Sequence, residues 1–264
     1  RYTEFGIDFI KSQAGKAPFF LYLAHTMPHI PIAASTNFEG TSKGGLYGDV
    51  IEEIDGSVGA IIQELKDQGL LENTLVIFTS DNGPVASEGG STGGLRGGKR
   101  SDFEGGICVP FLVRWPSHIT AGTVSDIPVI GTDIFSTVLD TTGIPPPSDR
   151  TIDGVSMLPV FKGQRVERKT PLFWRTHVSG ADNRVAVRVD DWKIVANDTL
   201  TDFKLFNVQK DRVEKDDLAL KMPGKTEEMK KILLATWADI VEEGPNEWWE
   251  TERQKPSKGG TLSF

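Results

Sequence analysis

The sequence predicts an α/β protein: part of a sheet flanked by helices, followed by a small antiparallel sheet subdomain with a C-terminal helix. Three observations predict it. Short continuous apolar runs flank a long amphipathic helical pattern in the first half. From about residue 165, short half-polar runs crowd together with tight links. A second amphipathic helical pattern then closes the chain. The 264 residues, 38% hydrophobic and 25% charged, suffice for a substantial core and a small second domain. The expected division is 1–165 and 166–264.

The elements follow in order. "YTEFGIDFIKSQ" (2–13) has a helical pattern. "APFFLYLA" (17–24) reads as a strand buried on both faces, as in a parallel sheet. The loop "HTMPHIP" is stiffened by Pro28 and Pro31. In "YGDVIEEIDGSVGAIIQELKDQG" (47–69), Val50, Ile54, Val58, Ile61, Ile62 and Leu65 recur at helical spacing, and Gly69 is placed to stop the helix. "TLVIFTS" (74–80) is a second buried strand, so strand, helix and strand suggest a βαβ unit with parallel strands.

"EGGSTGGLRGGKRSDFEGG" (88–106) is a glycine-rich loop, and "ICVPFLVRW" (107–115) a third strand. "TDIFSTVLDTTG" (132–143) reads as a helix with Thr132 as N-cap and Gly143 at its end. "PLFWRTH", "RVAVRVD", "WKIVAN" and "FKLFNV" form an antiparallel meander, turning at Asp190-Asp191. "TEEMKKILLATWADIVEEG" (226–244) is a helix able to cover one face of it.

The net charge of −8 argues against nucleic acid as a partner, because phosphate backbones need clustered Lys and Arg. The single cysteine, Cys108, permits no internal disulfide. "FFLYLA", the longest apolar run, is far short of a membrane span. The opening at Arg1, directly before a helical pattern, suggests a piece of a longer polypeptide.

Ligands of open α/β sheets sit beyond the C-terminal ends of parallel strands. One such end carries His25 and His29, the other Asp81 and Asn82 in "DNGP". Asp81 and Asn82 have two readings: a plain turn, or a hard-oxygen pair suited to Ca²⁺ or Mg²⁺. His25 reads as a structural hydrogen-bonder, whereas His29 stands between Pro28 and Pro31 as either a structural or a reacting group.

"GGLRGGK" matches G-x-x-x-x-G-K, but Arg100 follows where a nucleotide-binding loop needs Ser or Thr, and no helix opens there. The nucleotide reading fails. What survives is Lys99 on a flexible glycine-rich loop, with Arg96 and Arg100 beside it. Lys99 there is either a solvated lysine or a grip for a tetrahedral anion. Cys108 reads as buried and inert. Arg175 and His177 end a strand and are either sheet-edge residues or part of the same crevice.

Taken together, "PFFLYLAHTMPHIP", "YGDVIEEIDGSVG", "NTLVIFTSDNGP", "GGLRGGKRSDFEGGICVPFLVRWP" and "DGVSMLPVFKG" resemble the sulfatase family, arylsulfatase-like members of the alkaline-phosphatase-like superfamily. They occur in family order and span nearly the whole chain. The resemblance implies that Asp81 and Asn82 bind the metal, usually Ca²⁺. It implies that His29 contacts the sulfate and protonates the leaving oxygen, and that Lys99 holds the sulfate and bridging oxygen. His25, Arg175 and His177 become candidates for the substrate wall.

The departures are equally specific. Sulfatases use a formylglycine made from cysteine in a C-x-P-S-R type motif. Cys108 reads "CVPFL", in the strand after the lysine loop, and is not that nucleophile. The first metal-binding Asp pair, the nucleophile and its Arg belong to an N-terminal half, so this portion alone is expected not to turn over.

The resemblance thus implies a sulfuric ester hydrolase, Ca²⁺-dependent with Mg²⁺ as the other candidate ion, acting on a sulfated small molecule or glycan, and exported to periplasm, lysosome or medium. Its alternatives are a phosphate or phosphonate ester hydrolase of the superfamily, a non-catalytic protein binding sulfated glycans, and a structural domain without a site.

Overall fold

The computed structural model describes residues 1–176 and 184–243. They form two compact units that interleave along the chain. The first comprises 1–80, 85–91 and 110–126; the second comprises 81–84, 92–109 and 127 onward. Both sides of the expected boundary at 165 fall in the second unit.

The first unit is built on helices α1 (Tyr2–Gln13) and α2 (Gly45–Asp67) and a two-stranded sheet of β1 (Val76–Thr79) and β2 (Phe111–Arg114). The helical periodicity of α2 buries Val50 and Leu65, and Gly69 follows its end with φ 70°. Ile10, Leu65 and Leu71 form the core, with Phe19, Leu21, Ile61, Ile62 and Val76 packed on it. Gly6 lets α1 approach α2: a Cβ there would stand 2.7 Å from Ile61 Cδ1.

Two expectations are corrected here. Residues 17–24 join no strand ladder, and they are covered on one face: Phe19, Leu21 and Leu23 are half-buried, while Phe20 and Tyr22 are 63% and 80% exposed. A run of apolar residues cannot by itself distinguish one covered face from two. The parallel βαβ pairing is also not observed among the described residues. β1 instead pairs antiparallel with β2, Val76 opposite Arg114 and Thr79 opposite Phe111.

The second unit holds α3 (Glu104–Ile107), α4 (Thr132–Thr142), α5 (Leu158–Phe161), the meander β3 (Leu172–Thr176), β4 (Arg184–Val189), β5 (Trp192–Asn197) and β6 (Phe203–Asn207), and α6 (Pro223–Glu243). All meander pairings are antiparallel, in the order β3-β4-β5-β6. Asp190 turns the β4–β5 link with φ 50°, a conformation Asp tolerates better than most residues.

Strand alternation divides this sheet into two covered faces. Val185, Val187, Ile194, Ala196 and Leu205 pack under Met229 and Leu233 of α6, as the amphipathic helix predicts. Ala186, Val195, Phe206 and Val208 pack against Phe103 of the glycine-rich segment. α4 ends at Gly143 with φ 67°, as expected, but its N-cap is Gly131 rather than Thr132. No side chain caps this end; Asp133, in the first turn, instead ties down the incoming chain by accepting the Ile130 N–H at 2.9 Å and binds the fork of Arg168.

Candidate active site

The "DNGP" turn follows β1 directly in sequence and belongs to the second unit. Asp81 Oδ1 accepts the Asn82 N–H at 2.9 Å, and Asn82 Nδ2 donates to the Gly83 carbonyl at 3.0 Å. These local bonds set both side chains relative to their own backbone, as Asx residues do in turns.

Gly83 explains why the turn needs a glycine. It is buried, its N–H donates to the Gly106 carbonyl at 2.8 Å, and a Cβ would run into the carbonyl oxygen of Gly105. The neighbouring Pro84 carbonyl accepts the Lys99 N–H at 2.9 Å. The acid–amide turn and the lysine loop are therefore stitched together through their backbones.

The loop is also tied to itself. Gly105 N–H donates to Arg96 O at 2.7 Å, and Gly106 N–H to Phe103 O at 2.8 Å. Added Cβ atoms at Gly105 and Gly106 would strike the backbone carbonyls of Arg96 and Ser101. Two of the glycines are thus required by close approach, not by mobility, and the expected flexible loop is a knotted one. Lys99 is half-buried, and Arg100 beside it has φ 71°, a strained conformation for a long side chain.

Arg96 has partners of its own in the loop and beyond it. Its guanidinium lies 4.0 Å over the Phe103 ring, and Nη1 donates to the Glu214 carbonyl at 2.9 Å.

Below the loop lies a buried polar group that the sequence reading missed. Lys193 of β5 is wholly buried. Its Nζ donates to Glu104 Oε1 at 2.9 Å and stands 2.9 Å from Glu214 Oε1, close enough to pair though not aligned as a hydrogen bond. The Glu104 N–H donates to Glu214 Oε2 at 2.6 Å.

Burial pushes the Glu214 carboxyl above its usual range, with the Lys193 charge opposing. Asp102 is raised for the same reason, against the hydrogen bonds from the Thr176 hydroxyl and N–H. A signal for Lys193 existed: alternation in "WKIVA" puts it on the same face as Val195, and a lysine on a covered face demands a carboxylate.

His25 and His29 belong to the first unit. His29 is exposed, and its Nδ1 lies 2.8 Å from the Ile30 carbonyl. A carbonyl only accepts, so Nδ1 carries the hydrogen of this bond and Nε2 takes no part in it. His25 is half-buried, edge-on to Tyr2 with centroids 5.9 Å apart, and 3.5 Å from the Ser57 hydroxyl. Burial lowers its pKa.

Arg175 stacks over Trp237 of α6 at 4.1 Å. His177 lies outside the described residues. Cys108 is half-buried rather than buried, follows α3 rather than opening a strand, and its Sγ accepts from Arg212 at 3.3 Å.

Asp81 and Asn82 suit a hard cation by donor chemistry but supply two ligands where Ca²⁺ takes about six to eight. Among the described residues no group of three or more His, Cys, Asp or Glu is gathered as a metal cage. The pair fits as part of a site.

The sulfatase family model matches residues 1–144, and that for the C-terminal region of N-sulphoglucosamine sulphohydrolase matches 97–239. The chain belongs to the sulfatase family. N-acetylgalactosamine-6-sulfatase of Mus musculus is 47% identical over 179 residues, 66% of this chain and 34% of that protein. Steryl-sulfatase of Homo sapiens is 41% identical over 172 residues, 62% of this chain and 29% of that protein. The solved structure of Ps i-CgsB in complex with k-i-k-neocarrahexaose superposes with TM-score 0.79 at 30% identity, covering 97% of this chain and 55% of that one. The chain thus spans about a third of the length of the curated relatives it matches.

Proposed function

We propose that the chain contributes the Asp81–Asn82 metal pair and the Lys99 anion grip of a sulfuric ester hydrolase acting on a sulfated carbohydrate. The observation that carries this reading is the backbone stitching of "DNGP" to the lysine loop, Gly83 to Gly106 and Lys99 to Pro84. It ties an acid–amide pair and a cation to one rigid frame, as binding of an anion beside a metal requires. The carbohydrate is supported by the N-acetylgalactosamine-6-sulfatase relatives and the neocarrahexaose complex of a structural neighbour.

In this reading the Lys99 ammonium pairs with the sulfate and its bridging oxygen. As the sulfur–oxygen bond to the alcohol breaks, the departing oxygen takes a proton from His29 Nε2, while Nδ1–H stays on the Ile30 carbonyl. Asp81 and Asn82 would hold part of a Ca²⁺ site, and the ion when bound would supply charge neutralisation for the sulfate oxygens; the nucleophile would be a formylglycine outside this chain. Arg175, stacked on Trp237 on the α6 face of the meander and not on the face that Phe103 covers, is left out of the substrate wall, and the protein works after export. No helix among the described residues is long and apolar enough to cross a membrane.

The test is hydrolysis by the full native polypeptide. Sulfate should be released from a 6-sulfated galactosamine oligosaccharide, with loss of activity on chelation and on Lys99→Ala. Faster phosphate release from the matching phosphate ester would favour the phosphate or phosphonate hydrolase. Binding of the sulfated sugar without turnover would make it a glycan-binding protein.

A further inference from the structure

The glycine-rich segment is anchored on both sides of Lys99, upstream to the chain that follows β6 and downstream to the meander itself. Upstream, Arg96 reaches the Glu214 carbonyl and covers Phe103. Downstream, Asp102 holds the hydroxyl and N–H of Thr176, Phe103 packs on Ala186, Val195 and Phe206, and Glu104 meets Lys193 and Glu214. Lys193 is the central charge of this arrangement. It has no exposed surface, and it shares its sheet face with buried Ala186, Val195 and Phe206 and with Arg188 directly opposite.

A buried ionic group of this kind is weak as a source of stability, since well-packed apolar residues do as well or better. What it does supply is a fixed geometry, because a carboxylate removed from its ammonium is left uncompensated. Two strained backbone positions lie in the same structure: Arg100, next to Lys99, at φ 71°, and wholly buried Glu214 at φ 55°. Such conformations persist only where their surroundings over-determine them.

We propose that Lys193, clamped between Glu104 and Glu214, is a positioning residue that fixes the glycine loop on the meander and thereby sets where the Lys99 ammonium meets the sulfate. The inference rests on the reading of Lys99 as the anion grip. It makes Lys193 a determinant of the reaction although it touches no substrate, and it assigns the small sheet a role in the chemistry.

The experiment is a double-mutant cycle in the full native polypeptide, reading kcat/KM for sulfate release well below the melting temperature. Lys193→Met should lower kcat/KM by roughly 10- to 100-fold, the loss expected when a catalytic group is displaced by about an ångström. In a Lys99→Ala background the same change should cost less than about threefold, because its effect runs through Lys99. Full multiplicative losses in the double variant would overturn the positioning role.

Lys99→Ala without effect would instead remove the anion-grip reading, and this inference with it. Where Lys193→Met does not fold, Glu214→Gln serves the cycle, since it loosens the clamp and leaves the Glu104–Lys193 pair. Amide exchange gives a second readout: the Lys99 and Gly105 amides should exchange faster in the variant while those of central β4 and β5 hold. Equal acceleration across the sheet would mark Lys193 as a core residue only and overturn the proposal.

Discussion

The lysine loop and the histidine loop are both constrained, but by opposite means. The lysine loop is held from outside itself. Glycines let carbonyls of distant segments come close, and the stitching runs to Pro84, Thr176, Lys193 and Glu214. The histidine loop is held from within, by Pro28 and Pro31, a turn from the His29 N–H to the Thr26 carbonyl at 3.2 Å, and the Nδ1 bond to the next carbonyl. A loop held by long-range partners should fail as a unit when one is removed. A loop held by its own prolines should tolerate changes in its side chains.

The largest effect that sharpens this contrast is expected at Lys193. Lys193→Met leaves two buried carboxyls without their cation and should cost about 3–5 kcal/mol in denaturant unfolding. The deficit should depend on pH. Burial already raises the Glu214 carboxyl, and Lys193 opposes that. Without Lys193 the folded-state value rises further, so the folded chain keeps a proton that the unfolded chain has released. Stability in the variant is therefore retained near the ordinary carboxyl value, about 4.3, and lost as pH climbs through the raised folded value. Unfolding curves at pH 5 and pH 8 check it; a pH-independent deficit would contradict the account.

Next comes Gly83→Ala, which drives a methyl into the Gly105 carbonyl and breaks the stitching to the lysine loop. About 3 kcal/mol is expected, at the upper end of overpacking costs, because the obstacle is backbone. Asp81→Ala should abolish the calcium-linked stabilisation expected of the unaltered protein, about 2.7 kcal/mol at a hundredfold excess over Kd. Thermal unfolding across a calcium titration measures it, and an unchanged shift in the variant would remove Asp81 from the metal site.

A glycine outside both loops sets the scale. Gly59 sits inside α2 with nothing within 4 Å of a Cβ, so Gly59→Ala should stabilise by about 0.5–1 kcal/mol. The smallest stability effect is expected at His29. It is exposed, and His29→Gln should change stability by less than about 0.5 kcal/mol while lowering sulfate release by roughly 10²–10⁴-fold. Equal losses in stability at His29 and Gly83 would erase the distinction between the two loops.

Much of the fold was legible because its signals are local. The helical spacing of Val50 and Leu65, the stop at Gly69, and the alternation of the four meander strands follow from periods of 3.6 and 2. The pairing of "TLVIFTS" was not legible, because an apolar strand states that it is buried and not which neighbour it takes. The N-cap of α4 was misplaced by one residue: Gly131 takes that position with no side-chain cap, and Asp133 fixes the incoming chain through the Ile130 N–H. At the candidate site, Asp81, Asn82, His29 and Lys99 stood out as polar residues at punctuated loops, whereas Glu104, Lys193 and Glu214 did not. Their meaning lies in one another, across separations of 89 and 110 residues.

The sequence by itself determined the long helices and the meander strands, singled out the residues proposed to carry chemistry, and showed the family those residues resemble. These are properties of short windows and of residue types. Only the tertiary structure decided that the glycines around Lys99 serve close packing and not mobility, that Arg96 is turned onto Phe103 and the Glu214 carbonyl, and that a lysine in the small sheet underlies the loop. The reason is physical. A positive charge without solvent and a backbone without room for a Cβ are both defined by what distant residues bring against them, and chain order alone does not contain that distance.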